Sequence, residues 1–481
     1  FGEKGSPGWL PISIRDWAGH EVAHVYSDEF GSYEALVPST YAVNIPAPSG
    51  VAPNMLTIIL NDPTMADPAD PTGRLRIPDP FYNPEFSTTP WTLHFYPGSV
   101  LYADTPIVPI AGFVGYPNMQ LDVEPPDHTP VIWVVTNATT GVAGPYATAT
   151  SQVIVVTSQG LTSVPNPAAP FGSSSMVVRD FGFGTIPGKV TFEGTPVIIV
   201  SWSSTSIQVK LPPTFSPGAE GQLMVTRGDN GLTTPIGVTL TYGGLGTVHQ
   251  VVARAPTLGD PLPDPIQEAI DAAAPGDLIL VAPGIYEENP VIYKAVRVQG
   301  AGKGTMIYAN PTPATRLAVW QDKILSLLGT NPFVGSENAG FTVFGTNSID
   351  FRLKTARIDG FTVRGSVAGG GIQVYDSAHN LRISNNRIDG NQGSNCGGLS
   401  LGQWDVAGTI FDNSNVVIQS NQILKNGGVN GGGGIAIYPG ATSYRIRDNL
   451  ILGNFCRGNG GGISHEGVSD GGVIANNTIR N

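Results

Sequence analysis

From about residue 278 onward, apolar side chains fall in short alternating groups, each led by glycine or followed by asparagine. A glycine run precedes such a group at "GGGIQV" (Ile372), "CGGLSL" (Leu399), "GGGGIAI" (Ile435) and "GGGISH" (Ile463), in steps of 27, 36 and 28 residues. A second marker is the series "RIDGFTVRG", "RISNNRIDGN", "VIQSNQILKN", "RIRDNLILGN" and "VIANNTIRN". Aligned on Phe361, Asn386, Asn421, Asn449 and Asn477, it steps by 25, 35, 28 and 28. The two markers keep step, and the long interval falls in the same repeat in both, which places an insertion at "GQWDVAGTIFDNSN". Three short strands per period of this length predict one turn of a right-handed parallel β-helix, each strand stacked about 4.8 Å from its equivalent in the next turn. Ile, Val and Leu then fill the interior. Asn386, Asn421, Asn449 and Asn477 form a side-chain ladder at a corner, since asparagine tolerates left-handed backbone and its amide bonds to a stacked copy. Glycine marks bends with positive φ or contacts too close for a Cβ.

Upstream the pattern changes. In "DPIQEAIDAAAPGDLILVAPGIYEENPVIYKAVRVQGAG", Ile266, Ala269, Ile270 and Ala273 share one helical face. Asp264 suits the N-cap, Pro265 the first helical position, and Gln267 a capping box. This short helix is expected to cover the first turn of the β-helix, where a sheet edge is otherwise open. The strands "LILVA", "VIY" and "VRVQG" follow it. Residues 161–243 alternate strands and turns every 8–12 residues, as a small sandwich does. Residues 119–160 hold two strands, "PVIWVVTNATT" and "SQVIVVTSQ", expected to connect modules. Residues 1–118 read as a sandwich with tight turns at "DWAG" and "DEFG". The expected order is therefore sandwich 1–118, connector 119–160, sandwich 161–243, linker 244–262 and β-helix 263–481, an all-β protein.

Three resemblances sharpen this picture. Residues 263–481 resemble the pectate-lyase-like, PbH1-repeat β-helices. "FGFG" (Phe181–Gly184), "VTFEGTPVIIVSWSSTSIQVKLP" and "GVTLTY" resemble the IPT/TIG immunoglobulin-like module, which implies a spacer or binding platform on a secreted or surface protein. "ISIRDWAGHEVAHVYSDEFGSYEALVPSTYAVNIPAP" resembles the Cna-B or transthyretin-like surface modules. The β-helix resemblance implies a polysaccharide partner, since many such proteins act on polysaccharides, lyases through calcium-binding carboxylates with an Arg or Lys base and hydrolases through paired aspartates.

Composition narrows the function. Of 481 residues only 13% are charged, 62 are Gly and 41 Pro, and the net charge is −12. A chain this acidic, with no basic stripe, is not built for nucleic acid. No run of 18 apolar residues predicts a membrane span. The chain starts at Phe1 and stops inside a repeat, which predicts a trimmed product that continues past Asn481. Cys396 and Cys456, two turns apart, are expected to be free thiols.

Candidate chemistry collects at the corner after the glycine-marked strand: Tyr375, Asp376 and His379, then Trp404 and Asp405, then Tyr438, then His465, Glu466 and Asp470. Stacked on one surface, such aromatics and carboxylates suit a carbohydrate. By alternation His465 points inward. No cofactor is implied beyond calcium, for which Asp62, Asp67, Asp70 and Asp79 in a Pro/Asp loop are the carboxylates available. His20 and His24 lie on turn and strand and form no helical metal pair, and "RGD" (Arg227–Asp229) reads as a hairpin turn. "GAGKGT" (Gly300–Thr305) lacks the phosphate-loop spacing. The expected protein is a secreted or cell-surface structural or adhesive β protein that binds polysaccharide or other surface proteins. The alternatives are a polysaccharide lyase or glycoside hydrolase with a β-helix groove, and a self-associating subunit of an extracellular layer or filament.

Overall fold

A computed structural model describes residues 8–16, 18–38, 55–71, 75–83, 86–96, 98–103, 107, 121–139, 144–166, 176–244, 246–310, 314–329, 338–345, 356–403 and 412–480. The chain divides into two compact units, Phe1–Phe113 and Val114–Asn481. In the first, an antiparallel sheet runs in the order Glu21–Tyr26, Pro11–Arg15, Leu56–Leu60, Thr89–Leu93, beside a small hairpin of Thr64–Ala66 and Arg76–Pro78. Alternate residues Ile12, Ile14, Leu56, Ile58 and Leu60 form its core.

The second unit is a sandwich and a parallel β-helix. The β-helix has three columns of strands, every pair parallel. The first runs Val248–Val251, Leu278–Val281, Arg297–Gly300, Arg357–Asp359, Arg382–Ser384, Val417–Gln419, Arg445–Arg447, Val473–Ala475. The second runs from Gly284–Tyr286 to Thr478–Arg480, and the third from Val291–Ile292 to Ile463–His465. Ile372, Leu399, Ile435 and Ile463 pair directly in the third column, as the glycine marker predicts. Ile358, Ile383, Ile418 and Ile446 of the first column and Ile388, Ile423 and Ile451 of the second share one continuous core with them.

The asparagine ladder is present, and along it each asparagine donates to the next. The backbone N–H of Asn386 donates to Asn421 Oδ1 (3.0 Å), and that of Asn421 to Asn449 Oδ1 (2.9 Å). Asn449 donates likewise to Asn477. Each side-chain amide also donates to the next Asn Oδ1 and to a strand carbonyl one turn back, as Asn421 Nδ2 does to Ile383 O. A second ladder, Asn391–Asn426–Asn454, repeats this pattern after the second column. The ladder asparagines are not themselves left-handed. That role falls to the residue before each: Asn385, Ser420, Asp448 and Asn476, with φ of 54–58°. Most run glycines are likewise explained by closeness. A Cβ on Gly434 meets Gly462 O at 2.5 Å, and one on Gly398 meets Gly434 O at 2.3 Å.

Helix α1 (Pro265–Ala272) buries Ile266 and Ile270 against the first turn, as expected. Its cap differs. Asp264 makes no side-chain cap bond. Glu288 instead accepts the N–H groups of Ile266 (3.2 Å) and Gln267 (3.1 Å), while Gln267 is committed to Val291 and Asp271. Helix α2 (Ala314–Leu328), which the strand-dominated reading passed over, is inserted between the second and third columns. It seats Trp320 and Ile324 on Val291 and Phe344 at the outside of the third column.

The two strands expected to connect modules complete the sandwich. Ile132–Asn137 and Ile154–Ser158 extend the sheet of Ser206–Lys210 and Ile198–Trp202, because the edge of Ser206–Lys210 needs a partner. The segment expected to be a linker also supplies a strand, Val248–Val251, to the first column. The sandwich lies flat against the outside of that column through polar groups. Thr239 donates to Asp359 (2.8 Å), Thr241 to Gln299 (2.9 Å), and Arg357 to Glu220 (2.8 Å). Gln299, Arg357 and Asp359 are each at most 2% exposed. "GAGKGT" is the joint of this contact: Gly304 N–H donates to Trp133 O (2.9 Å), and a Cβ on Gly304 meets Val134 at 2.6 Å.

Replacing Asn421 with Ala removes the acceptor for Asn386 N–H and strands buried polar groups on both neighbouring turns, at about 1–3 kcal/mol per unsatisfied group. Thermal unfolding should show a melting temperature lowered by several degrees. An unchanged value contradicts the ladder's role.

Candidate functional site

Among the described residues, the corner side chains are drawn into local bonds and packing. Tyr375 is half-buried against the Trp320–Phe344 cluster. Asp376 Oδ1 accepts the N–H groups of Ser377 and Asp412, both at 2.8 Å. His379 is buried, with Nδ1 2.6 Å from Ser414 Oγ. Tyr438 has no exposed surface and donates to Asn395 O (2.8 Å), so no sugar can stack on it. Glu466 accepts from Asn459 Nδ2, and burial pushes its carboxyl up. Trp404 and Asp405 lie outside the described residues. His465 occupies the core register opposite Ile437 and is exposed. Strand register sets Asp376 and Glu466 three rungs apart, about 14 Å at ~4.8 Å per rung, beyond the ~5–9.5 Å of paired glycosidase carboxylates.

The other motifs resolve into local structure. Asp62 is buried and bound by Ser13, Arg15, Thr64 and Arg76 rather than open to a cation. Asp67 accepts Ala69 N–H (2.9 Å), Asp70 accepts Leu75 N–H (2.7 Å), and Asp79 accepts Phe81 N–H (2.8 Å). These aspartates therefore serve turns and ion pairs and do not converge on one point. His20 pairs with Asp16. Arg227 is 5% exposed and clamps Asp229 through two bonds, so the "RGD" turn presents no free guanidinium. Both cysteines are free, and burial pushes the Cys396 thiol up to about 12.

The structure instead forms a concavity at the start of the β-helix, unforeseen from sequence because it depends on α2. A pocket of about 330 Å³ opens between α1, α2 and the loop 287–291, at the lower end of small-molecule sites. On one side Asp271 gathers Gln267 (2.9 Å), Tyr293 (2.8 Å) and Lys323 (2.6 Å). Burial opposes its charge, but those three donors outweigh burial and hold the carboxyl below the usual range. On the other side Glu288 is buried. Burial lifts its carboxyl to about 8, against the two α1 N–H groups and with the help of Asp264. Asp264 is itself raised by burial and by Glu268. Perturbed carboxyls in a cleft mark a functional candidate. The sequence signal available was the acidic string "YEENP" after a strand; its partner in α2 was not legible.

No protein-family model matches the chain, and no curated protein matches it.

Because the folded-state pKa of Glu288 lies above its ordinary 4.5, the folded protein retains a proton that the unfolded chain releases. The contribution is intact below pH 4.5 and is lost as pH rises toward about 8. Melting temperatures of wild type and Glu288→Gln should therefore diverge across this window, with the variant gaining as pH rises. Parallel curves from pH 5 to 8.5 contradict a raised Glu288.

Proposed function

We propose that the chain is a stiff structural module of a secreted or cell-surface protein, in which the immunoglobulin-like sandwich is fastened along a parallel β-helix. The observation that carries this reading is the buried polar seam between them. A flexible spacer needs only a linker, whereas here Arg357, Gln299 and Asp359 are withdrawn from water and each bonds a sandwich residue, Glu220, Thr241 and Thr239 respectively. A second contact supports the same conclusion. Leu121 and Val123 pack on Leu424 and Leu452, and Glu124 joins Arg387 and Lys303 on the second column. Burial disfavours the Glu124 charge, yet Arg387 and Lys303 hold it at about 2. Such buried pairs favour one relative placement over others, since removing one partner leaves an uncompensated buried charge.

The secreted or surface location rests on the resemblance to surface modules and the acidic surface. The lyase or hydrolase alternative is less favoured by the separation of Asp376 and Glu466. Fractionation of the producing cells should recover the chain in the medium or surface fraction; recovery only from the cell interior contradicts the location.

Stiffness has its own test. Glu220→Ala leaves the Arg357 charge buried without its partner, at a cost of about 3–5 kcal/mol. Limited proteolysis of the wild type should leave one resistant fragment spanning sandwich and β-helix, and the variant should release the sandwich. A wild type cut readily between the two contradicts the reading.

A further inference from the structure

Four asparagines in the chain precede a glycine: Asn230, Asn426, Asn430 and Asn459. Such a pair holds an electrophile and a nucleophile side by side, the side-chain amide carbon and the next backbone nitrogen. They close into a five-membered imide when neither is restrained, and glycine has no Cβ to shield its nitrogen. The fold restrains the four pairs unequally. Asn426, in the second ladder, has no exposed surface. Its Nδ2 donates to Ile388 O (2.9 Å) and Asn454 Oδ1 (3.0 Å), its Oδ1 accepts from Asn391, and Gly427 N–H donates to Asn391 O (2.8 Å). Asn230 is exposed, but its Nδ2 donates to His128 O (3.0 Å), its Oδ1 accepts Leu232 N–H (2.9 Å), and Gly231 N–H donates to Arg227 O (3.2 Å). Asn459 is exposed too, with its Nδ2 shared between Asn430 O (2.8 Å) and Glu466.

Asn430 differs from all three. Its backbone is anchored, with N–H donating to Ser394 O (3.0 Å) and O accepting from Asn459. Its side chain is exposed and makes no hydrogen bond among the described residues, and neither does the Gly431 N–H. Glycine is required at 431, because a Cβ there overlaps Asn395 O and Tyr438 Oη. The stacking of the rungs therefore excludes the side chain that would shield this nitrogen. We propose that Asn430 is a site of spontaneous deamidation. The Gly431 nitrogen attacks Asn430 Cγ and forms the C–N bond of a cyclic imide. Asn430 Nδ2 leaves as ammonia, taking up the proton that the Gly431 nitrogen gives up. Water then opens the imide at either of its carbonyls, giving aspartate or isoaspartate. Both products add a negative charge to a chain already at −12. Isoaspartate also lengthens the backbone by one carbon, which displaces Asn430 O from Asn459 and Gly431 from its seat. The inference is independent of the scaffold reading, since it concerns one corner of the β-helix and not the seam with the sandwich.

The test is peptide mapping by mass spectrometry of the full chain, held folded at mildly alkaline pH, sampled over weeks and digested at acid pH. A hydrogen bond that must break before the ring closes slows closure by up to about tenfold. Asn430 should therefore convert about tenfold faster than Asn230 or Asn459, and faster still than Asn426. The same incubation in denaturant should bring the four pairs to similar rates, because the fold and not the dipeptide sets the order. Conversion of any other pair ahead of Asn430 in the folded chain overturns the proposal. So does an intact Asn430 after a time in which the denatured chain converts, or an unchanged order in denaturant. Asn430→Gln, at an exposed position, should remove the earliest isoaspartate formed by the folded protein; an undiminished isoaspartate yield contradicts the assignment. Should that variant fail to fold, the site-by-site rates of the wild type decide.

Discussion

A buried backbone N–H must find an acceptor, and in a parallel β-helix the hardest ones to supply lie in the bends between columns. Strand N–H groups are served by the neighbouring rung. In a bend the service is uneven: the N–H of the residue before the asparagine reaches a carbonyl of the next rung, as Ser420 does to Arg447 O, but the asparagine N–H itself meets a side-chain oxygen instead. The asparagine columns solve this for Asn386, Asn421 and Asn449, and again for Asn391 and Asn426. One side chain accepts the N–H of the rung before it and donates to a carbonyl of that same neighbourhood. The solution works only when every rung places its asparagine in the same spot. The repeat length, the left-handed residue before each asparagine and the glycine column follow from that demand.

The same stacking creates the outer faces that the rest of the unit uses. Residues alternate, so each column turns one set of side chains inward and another outward. Outward residues of the first column near its start are Arg297, Gln299, Arg357 and Asp359, and the sandwich meets them with Glu220, Thr239 and Thr241. On the third column the outward Val291 and its neighbours are covered by α2 instead. A β-helix is thus a rod with choices about what to lay along each side. In this protein, a folded sandwich, an extended segment around Leu121–Glu124 and an inserted helix take one side each.

Period and column membership were legible in the sequence because identical demands repeat: Ile435 and Ile463, or Asn449 and Asn477, sit where arithmetic puts them. Single events were not. The Glu288 cap on α1 comes from 21 and 22 residues downstream of the amides it accepts, where no local motif announces it. The fate of "GAGKGT" depends on Trp133, over 160 residues before it. Two of the corner residues are less exposed than their sequence position suggests, for a related reason. Tyr438 and His379 look exposed when only their own strand is considered, but the 395 and 414 segments fold over them. Sequence shows which way a side chain leaves its strand; it does not show what later crosses in front of it.

Hydrogen exchange resolved to single amides tests the central constraint most directly. The N–H groups of Asn386, Asn421 and Asn449 lie in bends, where solvated amides exchange fast. Held by the asparagine column, they should exchange as slowly as those of the strands beside them. Exchange at the rate of an open turn, with the flanking strands still protected, would mean that the asparagines stack without bearing the structure.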